Sequence, residues 1–483
     1  MNTSGAVFAR WSHLLILALT LSSCGGGGGS GGATCPNTCP SQLQPGPPVI
    51  SLFPPQGATI NQPYTFTFAA TQGTMPVTFS ASGTLPPGLN PVTSAGVLAG
   101  TPTATGTFPI VVRAVNGVGQ SVTQNFVVQL FQHGFRLTGT MVQPRGYHTA
   151  SLLATGHVLV TGGFDASSPN DAPTASAESF DPTTQSFMAT GSMNAARVNH
   201  TATLLCDLSA TTCSNPQVLI AGGENGEPAT VLETAELYDP ITGTFRLTGS
   251  LLAPRNQHTA TLLGNGKVLI AGGSNPPASL PAGAELFDPG TGTFTPTGNL
   301  GTPRQYHTAT LLQNGKVLIA GGLGTNNTWI GLAELYDPAT GTFTATGSMV
   351  DPRHLHTATL LTSGKVLIVG GEGANAFVAP PEIYDPDTGA FTTTGTLVTP
   401  QWLPGFAVLL PDGTVLVAGG EDLDASNPIP KYAELFDPTT GTFCETGGLQ
   451  VGADIDAVMT ALGKSSAALA LVTGENGVAQ LYQ

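Results

Sequence analysis

One pattern of about 49 residues recurs through the last 340 or so residues of this 483-residue chain. Each unit contains Arg-x-x-His, an apolar run that ends in Gly-Gly, and then Ala-Glu-Leu-Tyr-Asp-Pro followed closely by Thr-Gly-Thr-Phe. Because turn residues separate these short apolar stretches, each unit is predicted to form four short strands. Four-stranded repeats with a period near 50 residues predict a β-propeller in which each unit is one blade. The Gly-Gly pairs begin at Gly162, Gly222, Gly272, Gly321, Gly370 and Gly419.

A seventh, degenerate unit completes the count of blades. It carries Thr473-Gly474 in place of Gly-Gly, and its residues 479–482 match the third strand of the other units, so it lacks a fourth strand. Residues 135–139 stand alone before the first unit and match residues 245–249 one for one. We therefore predict a seven-bladed propeller over residues 134–483, in which the early segment supplies the missing outer strand and removes a free sheet edge.

Residues 47–131 follow a different pattern. Short runs that alternate apolar and polar residues, such as Tyr64-Thr65-Phe66-Thr67-Phe68, lie between Gly and Pro turns. Such alternation is typical of strands with one buried face. The fold class is therefore predicted to be all-β, with a β-sandwich before the propeller.

Two resemblances to known families agree with this assignment. The segment that contains residues 85–89 and 96–103 resembles the bacterial putative immunoglobulin-like domains found in tandem on surface proteins. The propeller units resemble Kelch repeats of the bacterial and galactose-oxidase-like branch, because Gly-Gly follows the second strand and an aromatic residue lies in the third. Together they imply an immunoglobulin-like β-sandwich followed by a Kelch-type propeller. The units depart from many Kelch repeats by having Phe in place of Trp, at Phe245, Phe294, Phe343, Phe391 and Phe443.

The N-terminus predicts export. Arg10 precedes an apolar core over residues 14–19, which is too short to span a bilayer and is followed by small residues. Leu21-Ser22-Ser23-Cys24 resembles the lipobox of bacterial lipoproteins. This resemblance implies a signal peptide over residues 1–23 and a lipid anchor on Cys24. Plain signal cleavage, with Cys24 as an incidental thiol, is the alternative.

The segment after Cys24 predicts where the protein resides. Residues 24–46 are rich in Gly, Ser and Pro and are expected to form a tether. Gly25 follows the cysteine, where an acidic residue would be the alternative, and by the same resemblance this choice implies delivery to the outer membrane. We therefore expect an exported protein that the lipid anchor holds at the bacterial outer membrane or cell surface.

The remaining cysteines suit an oxidising compartment. Cys35 and Cys39 are close neighbours, and Cys206 and Cys213 flank one insertion, so each pair is a candidate disulfide. A metal or redox site is the alternative for Cys35 and Cys39, although it would need further ligands or a supporting helix. Cys444 is left over and is expected to be a thiol without chemistry.

The charge of the chain argues against nucleic acid as a ligand. The sequence has 14 Lys and Arg against 29 Asp and Glu, which gives a net charge of −15, and it contains no basic run. A nucleic-acid surface would therefore lack the phosphate-neutralising side chains that supply most of its affinity.

The repeated charged residues are predicted to be structural. A reaction needs its acid or base once, whereas a group that recurs in every blade meets a need that every blade has. A carboxylate buried between neighbouring sheets requires a partner, so an Arg–Glu pair is predicted in each of the first five blades. The sixth unit keeps Glu434 but has Gln401 near the arginine position, and the seventh has Gln480 in place of the glutamate. The repeated residues are Arg145, Arg197, Arg255, Arg304 and Arg353, His148, His200, His258, His307 and His356, and Glu178, Glu236, Glu285, Glu334 and Glu382.

The loops between the second and third strands differ from blade to blade. Variable loops on a rigid scaffold usually carry recognition, and aromatic rings with carboxylates suit sugar rings or a cationic partner. Solvated loops with a few packing aromatic residues are the alternative. The cluster from Glu421 to Asp424 could bind calcium, but it lacks the spacing of a known calcium loop, so no metal site is predicted. The candidate ligand-binding residues are Glu224, Glu227, Trp329, Glu372, Phe377, Trp402, Glu421, Asp422 and Asp424.

The sequence does not name the ligand. No hydrolase elbow, phosphate loop or zinc-protease motif is present, and the cysteines do not suit a galactose-oxidase-like copper site, so no catalytic residue and no cofactor is predicted. The leading hypothesis is a monomeric, lipid-anchored binding or adhesion protein whose propeller face recognises a protein partner. The alternative is a carbohydrate-binding or carbohydrate-active propeller, which two loop carboxylates about 5–10 Å apart would favour.

Overall fold

A computed structural model of the chain shows an all-β protein. Among the described residues the one helical segment is a single 3-10 turn, Thr325–Asn327. No helix in those ranges has the length and apolar character that a membrane span requires. The structure describes residues 47–50, 57–72, 75–168, 170, 172–206, 213, 216–226, 230–275, 280–374, 379–399, 402–422, 432–451, 457–462, 469–474 and 476–483.

Several predictions of the sequence fall outside these ranges. They concern the signal peptide over residues 1–23, the anchor Cys24, the tether over residues 24–46, and the pair Cys35 and Cys39. They stay predictions.

The first domain is a small β-sandwich. Gly106–Val115 and Ser121–Phe131 form its long central hairpin, with Thr78–Gly83 beside the first strand and Ala58–Thr59 beside the second. From Ile110 onward, alternate side chains of the first hairpin strand are buried, as the period of a half-buried strand requires. The strands described here are Val49–Ile50, Ala58–Thr59, Tyr64–Thr67, Ala70–Gln72, Thr78–Gly83, Val97–Gly100, Gly106–Val115 and Ser121–Phe131.

Seven four-stranded antiparallel sheets follow and form the blades of a propeller. In each blade strand a is innermost, and strands b, c and d follow outward. Strand a of each blade contacts strand a of the next, and strand a of blade 7 contacts that of blade 1, so the ring is closed. The predicted all-β fold with a seven-bladed propeller is confirmed.

The blades are built to one plan. In order from a to d, the strands of blade 1 are Thr149–Leu152, Val158–Thr161, Ala177–Asp181 and Ser186–Ala189, and those of blade 2 are Thr201–Leu204, Val218–Ala221, Ala235–Asp239 and Thr244–Leu247. The strands of blade 3 are Thr259–Leu262, Val268–Ala271, Gly283–Asp288 and Thr293–Asn299, and those of blade 4 are Thr308–Leu311, Val317–Ala320, Leu332–Asp337 and Thr342–Ser348. The strands of blade 5 are Arg353–Leu360, Val366–Gly373, Glu382–Asp385 and Ala390–Thr393, and those of blade 6 are Trp402–Leu409, Val415–Asp422, Ala433–Asp437 and Thr442–Glu445. The strands of blade 7 are Val458–Ala461, Ala470–Thr473, Val478–Tyr482 and Phe135–Thr140. Two short ladders join Arg145–Gly146 to Phe164–Asp165 and Glu224–Asn225 to Thr230–Val231.

The N-terminal strand closes the ring, as predicted. Phe135–Thr140 pairs antiparallel with Val478–Tyr482 as the outer strand of blade 7. The Phe135 ring lies 5.2 Å from the Tyr482 ring, close to the 4.8–4.9 Å between the corresponding rings in blades 1 to 6. The first and last blade strands of the chain thus share one sheet, so that sheet has no missing fourth strand.

Hydrophobic packing between neighbouring blades forms the core. Strand b is buried on both faces, which explains its unbroken apolar run. Leu269 and Ala271 of blade 3, for example, pack with Val317 and Ile319 of blade 4. Blades also approach closely farther out: the Gly298 amide donates to the Gly341 carbonyl at 2.9 Å, and a Cβ atom on Gly298 would lie 2.4 Å from that oxygen.

A buried arginine joins the strands of each of the first five blades, and we call this arrangement the arginine clamp. In blade 4, Arg304 Nη2 lies 2.7 Å from Glu334 Oε1, while Arg304 Nη1 donates to the carbonyls of Gly321 and Leu332. The Glu334 carboxylate also accepts the amide of Gly301. Burial lowers the pKa of Arg304, and the charge of Glu334 opposes that shift. The clamp therefore joins strand b, strand c and the connection that leads into strand a of the blade at one point.

The predicted Arg–Glu pairing is confirmed in all five blades. The Nη2–Oε1 distances range from 2.5 to 2.8 Å, and the side chains of both partners are at most 3% exposed. Each arginine also donates to the carbonyl of the first glycine of its Gly-Gly pair. The pairs are Arg145–Glu178, Arg197–Glu236, Arg255–Glu285, Arg304–Glu334 and Arg353–Glu382.

In blades 6 and 7 the residue at the glutamate position is held without an arginine. Glu434 accepts two backbone amides, and no described arginine or lysine pairs with it; burial raises its pKa. The backbone of Trp402 lies opposite Asp422, the register position that Arg353 occupies in blade 5, so Trp402 and not Gln401 stands in the arginine's place. In blade 7 the neutral Gln480 accepts the two equivalent amides.

The clamp predicts a contrast between two identical substitutions. Glu285→Gln leaves Arg255 buried without a counter-charge, so we expect a loss of about 3 kcal/mol in the free energy of unfolding. Glu434→Gln recreates the neutral arrangement of Gln480 and should cost less than about 1 kcal/mol. Urea unfolding of both variants measures this difference, and equal losses would contradict the clamp.

Buried histidines join neighbouring blades near strand a. His307 Nε2 lies 3.0 Å from Thr259 Oγ1 of the preceding blade, and the four equivalent histidines contact a threonine of the preceding blade at 2.7–3.1 Å. Burial, and then the nearby arginine, lowers the pKa of His148, His258 and His307 to about 3. The same causes lower the pKa of His200 and His356 well below the usual value. These histidines are therefore neutral at pH 7.

Acid should unfold the protein steeply. Between about pH 3 and 6.5 the unfolded chain binds protons at these histidines that the folded protein does not, so stability rises with pH and falls on acidification. Each histidine adds a slope of about 1.4 kcal/mol per pH unit, and five together add up to about 7. Unfolding free energies from pH 4.5 to 6 measure the slope. His307→Gln should reduce it by about 1.4 kcal/mol per unit.

Candidate ligand-binding site

The start of strand a and the end of strand b meet at one edge of each blade. In blade 5, His354 lies opposite Glu372, and in blade 2, Val198 lies opposite Glu224. The two middle residues of Arg-x-x-His and the residue after Gly-Gly are therefore neighbours in each of these blades. Each of blades 1 to 5 contributes three such residues, and we call the whole set the mouth. The name reflects that these residues lie at one end of the a strands, which surround the axis of the ring.

The mouth is where otherwise repeated blades differ. The flanking arginine, histidine and Gly-Gly are the same in blades 1 to 5, whereas the three mouth positions change in chemistry from blade to blade. Such variation on a constant scaffold is the usual arrangement of a recognition surface. The mouth residues are Gly146, Tyr147 and Phe164; Val198, Asn199 and Glu224; Asn256, Gln257 and Ser274; Gln305, Tyr306 and Leu323; and His354, Leu355 and Glu372.

Five mouth residues hold a left-handed backbone. Their φ angles lie between 52° and 56°, although none is glycine. Each such residue costs roughly 1–2 kcal/mol relative to ordinary conformations. The same conformation recurs between the buried arginine and the buried histidine of each of these five blades, so it belongs to the repeated fold. The five are Tyr147, Asn199, Gln257, Tyr306 and Leu355.

Hydrogen bonds link these residues from blade to blade. The Gln257 amide donates to the Asn199 carbonyl at 3.1 Å, and the Leu355 amide donates to the Tyr306 carbonyl at 3.3 Å. Gln257 Nε2 donates to the Tyr306 hydroxyl. Burial raises the pKa of Tyr306 to about 12, with smaller effects from Glu224 and Tyr147, so the phenol stays neutral. The mouth is thus one connected surface across four blades.

Two asparagines of adjacent blades hold the Glu224 carboxylate. Asn199 Nδ2 donates to Oε1 at 2.9 Å, and Asn256 Nδ2 donates to Oε2 at 2.7 Å. Neither partner is charged, and no described lysine or arginine forms an ion pair with Glu224. Asn256 is 2% exposed, and its Oδ1 atom has no partner there.

A second cluster surrounds His354. Its Nε2 atom lies 3.7 Å from Glu372 Oε2, and its ring meets the edges of Tyr306 and Trp329 at centroid distances of 6.0 and 6.3 Å. Burial lowers the pKa of His354, and Glu372 opposes the shift. The imidazole is therefore neutral at pH 7. His354 is 5% exposed, and its Nδ1 atom has no described partner.

Exposed apolar side chains surround these polar groups. Trp329 is 45% exposed, while its backbone bridges to Leu323 and so holds it beside the mouth. Tyr147 and Leu355 are each 40% exposed. The Tyr147 ring packs edge-on against Phe164 at 5.9 Å. Aromatic faces and carboxylates thus lie on the same part of the ring.

Three of the candidates predicted from sequence lie at or beside the mouth. Glu224 and Glu372 belong to the mouth, and Trp329 adjoins it. The backbones of Trp402, Glu421 and Asp422 pair at the same edge of blade 6, but the described structure does not include their side chains. The candidates Glu227, Phe377 and Asp424 lie outside the described residues. Cys206 and Cys213 form a disulfide with an S–S distance of 2.11 Å, away from these positions in the sequence, and Cys444 is free and exposed.

Sequence reasoning missed several residues of the site. The missed residues lie between the repeated arginines and histidines, which drew attention away from them. They are His354, Asn256, Gln257 and Tyr306. The signal was nevertheless present, because these are the positions inside Arg-x-x-His that change between units. A residue unique to one blade is a better functional candidate than one found in five.

Comparisons with known proteins support the fold. Residues 47–130 match the family model described as "Putative Ig domain". No curated protein sequence matches the chain. Among solved structures the chain is similar to a fungal alcohol oxidase of the AA5 family in complex with copper, with a TM-score of 0.53 and 16% identity over 73% of this chain and 76% of that one. At this identity the similarity shows a shared propeller-type fold.

The described residues do not form a copper centre of that kind. No three described His, Cys, Asp or Glu residues lie close enough to hold a metal ion. Cys206 and Cys213 are bonded to each other, and Cys444 lies on an outer strand. The assignment of the units to Kelch repeats stays a prediction.

Proposed function

We propose that this is an extracytoplasmic binding protein whose propeller recognises a partner protein at the mouth. The observation that carries the proposal is the change of chemistry from blade to blade at three positions on one edge of the ring, beside an arginine, a histidine and a Gly-Gly pair that stay the same. The sequence of the first 46 residues adds export and a lipid anchor at Cys24, which would hold this surface at the outer membrane or cell surface. A large rigid ring with one variable edge suits docking.

A glycan is the second candidate for the ligand. Trp329 presents an exposed ring beside Asn326 and Asn327, and an aromatic face with neighbouring amides is suited to a sugar ring. This reading extends to a carbohydrate-active propeller only if loop carboxylates converge. Glu224 and Glu372 are the two described loop carboxylates whose separation tests this extension.

Two exposed-residue variants test the proposal. The purified full-length chain is probed in detergent against a glycan array and against blotted envelope proteins of its source cells. We expect Trp329→Ala with Tyr147→Ala to weaken the binding found there at least tenfold, because central aromatic side chains dominate interfaces. The control Ile241→Ala, which is 83% exposed on a c–d turn at the opposite edge, should leave binding unchanged.

Each outcome assigns the ligand or rejects the site. Binding to envelope proteins that depends on the mouth supports the leading proposal. Mouth-dependent binding to a glycan selects the second candidate. Binding that survives the mouth variants would show that recognition takes place elsewhere.

A further inference from the structure

We infer that the mouth selects a cationic donor, the guanidinium or ammonium group of an arginine or lysine side chain that the partner inserts. This selection rests on the proposed function, since it specifies what the mouth recognises in a partner protein.

The mouth carries acceptors that its own donors do not fill. The side-chain amide nitrogens of Asn199 and Asn256 are directed to Glu224, and that of Gln257 is directed to Tyr306. The carboxylates of Glu224 and Glu372 keep lone pairs for a ligand. A ligand that bonds to these carboxylate oxygens must therefore bring donors.

Two buried atoms reinforce this requirement. Asn256 Oδ1 is an acceptor without a described partner. His354 Nδ1 is a second buried polar atom without a described partner. A buried acceptor left unpaired costs about 1–3 kcal/mol. Donors from a ligand, or from water that it orders, would remove this cost.

No described cation neutralises the mouth. The arginines nearest to it are buried in clamps, where glutamates balance their charge. Lys267, Lys316 and Lys365 follow the a–b turns at the opposite edge and pair with aspartates of the c–d turns. The mouth therefore has two carboxylates and no described lysine or arginine paired with them, in a chain of net charge −15.

The aromatic residues complete a cation site. Tyr147, Tyr306 and Trp329 lie at or beside the mouth, and aromatic faces attract cations, especially guanidinium groups. An anionic ligand would meet the two carboxylates. A donor-only cation fits those carboxylates, the buried acceptor Asn256 Oδ1 and the aromatic rings together.

Matched peptides test this selection. The full-length chain is titrated calorimetrically with acetylated, amidated Gly-Ser-Arg-Arg-Ser-Gly and with the same peptide carrying citrulline, which keeps the shape but not the charge. We expect the arginine peptide to bind at least tenfold more tightly, and the difference to shrink as salt is added. Glu224→Gln should reduce arginine binding about tenfold. Asp387→Asn, an equal change of charge on a c–d turn at the opposite edge, should have no effect.

The outcomes separate this inference from the proposed function. Trp329→Ala, an exposed change that should preserve the melting temperature, checks that a loss in Glu224→Gln reflects the site and not the fold. Equal binding of arginine and citrulline peptides, lost in Trp329→Ala, would overturn cation selection and leave recognition at the mouth intact. Absence of binding by the arginine peptide at millimolar concentration would overturn the inference, and the protein and glycan arrays then decide the proposed function separately.

Discussion

The buried arginine–glutamate pair is the interaction on which the propeller depends. A charge in the interior is tolerable only when geometry and hydrogen bonds satisfy it fully. Here each arginine meets a carboxylate, the carbonyl of the first Gly-Gly residue and a carbonyl beside strand c, while the carboxylate also accepts amides of the incoming connection. The clamp therefore ties three segments that are distant in sequence. In blades 6 and 7, which lack the arginine, Glu434 and Gln480 still accept the backbone amides of the connection that leads into the blade. These amide contacts are therefore the part of the clamp that all seven blades keep.

The mouth exists because the clamp and the buried histidine anchor both ends of Arg-x-x-His. Two residues remain between the anchors, and one of them takes a left-handed conformation in every one of the first five blades. Side chains at these positions are free to vary, since neither anchor uses them. Stability and recognition are thus assigned to different residues of the same four-residue segment. The left-handed backbone itself recurs in all five blades, so it is the side chains on it, and not the strain, that distinguish one blade from another.

Much of this architecture could be predicted from the sequence. The period gave the number of blades, the match between residues 135–139 and 245–249 gave the closing strand, and the joint occurrence of arginine and glutamate gave the clamp. The cluster of Asn199, Asn256 and Glu224 could not be predicted, because residues of adjacent blades meet only through the curvature of the ring. In blade 6, Trp402 lies at the arginine's position, one residue after Gln401, which the sequence placed near it. Blade 6 lacks the Arg-x-x-His motif that would have aligned this residue with the other blades. His354 was hidden by a repeated histidine two residues later.

The central claim is that mouth residues serve recognition and do not stabilise the fold. The unfolding free energy of a triple variant, Tyr147→Gly, Gln257→Gly and Leu355→Gly, tests it most directly. Glycine adopts the left-handed backbone without strain, so the account predicts a free energy equal to or above that of the unmodified protein. A loss of about 3 kcal/mol or more would contradict it, because these side chains would then be part of what holds the ring together.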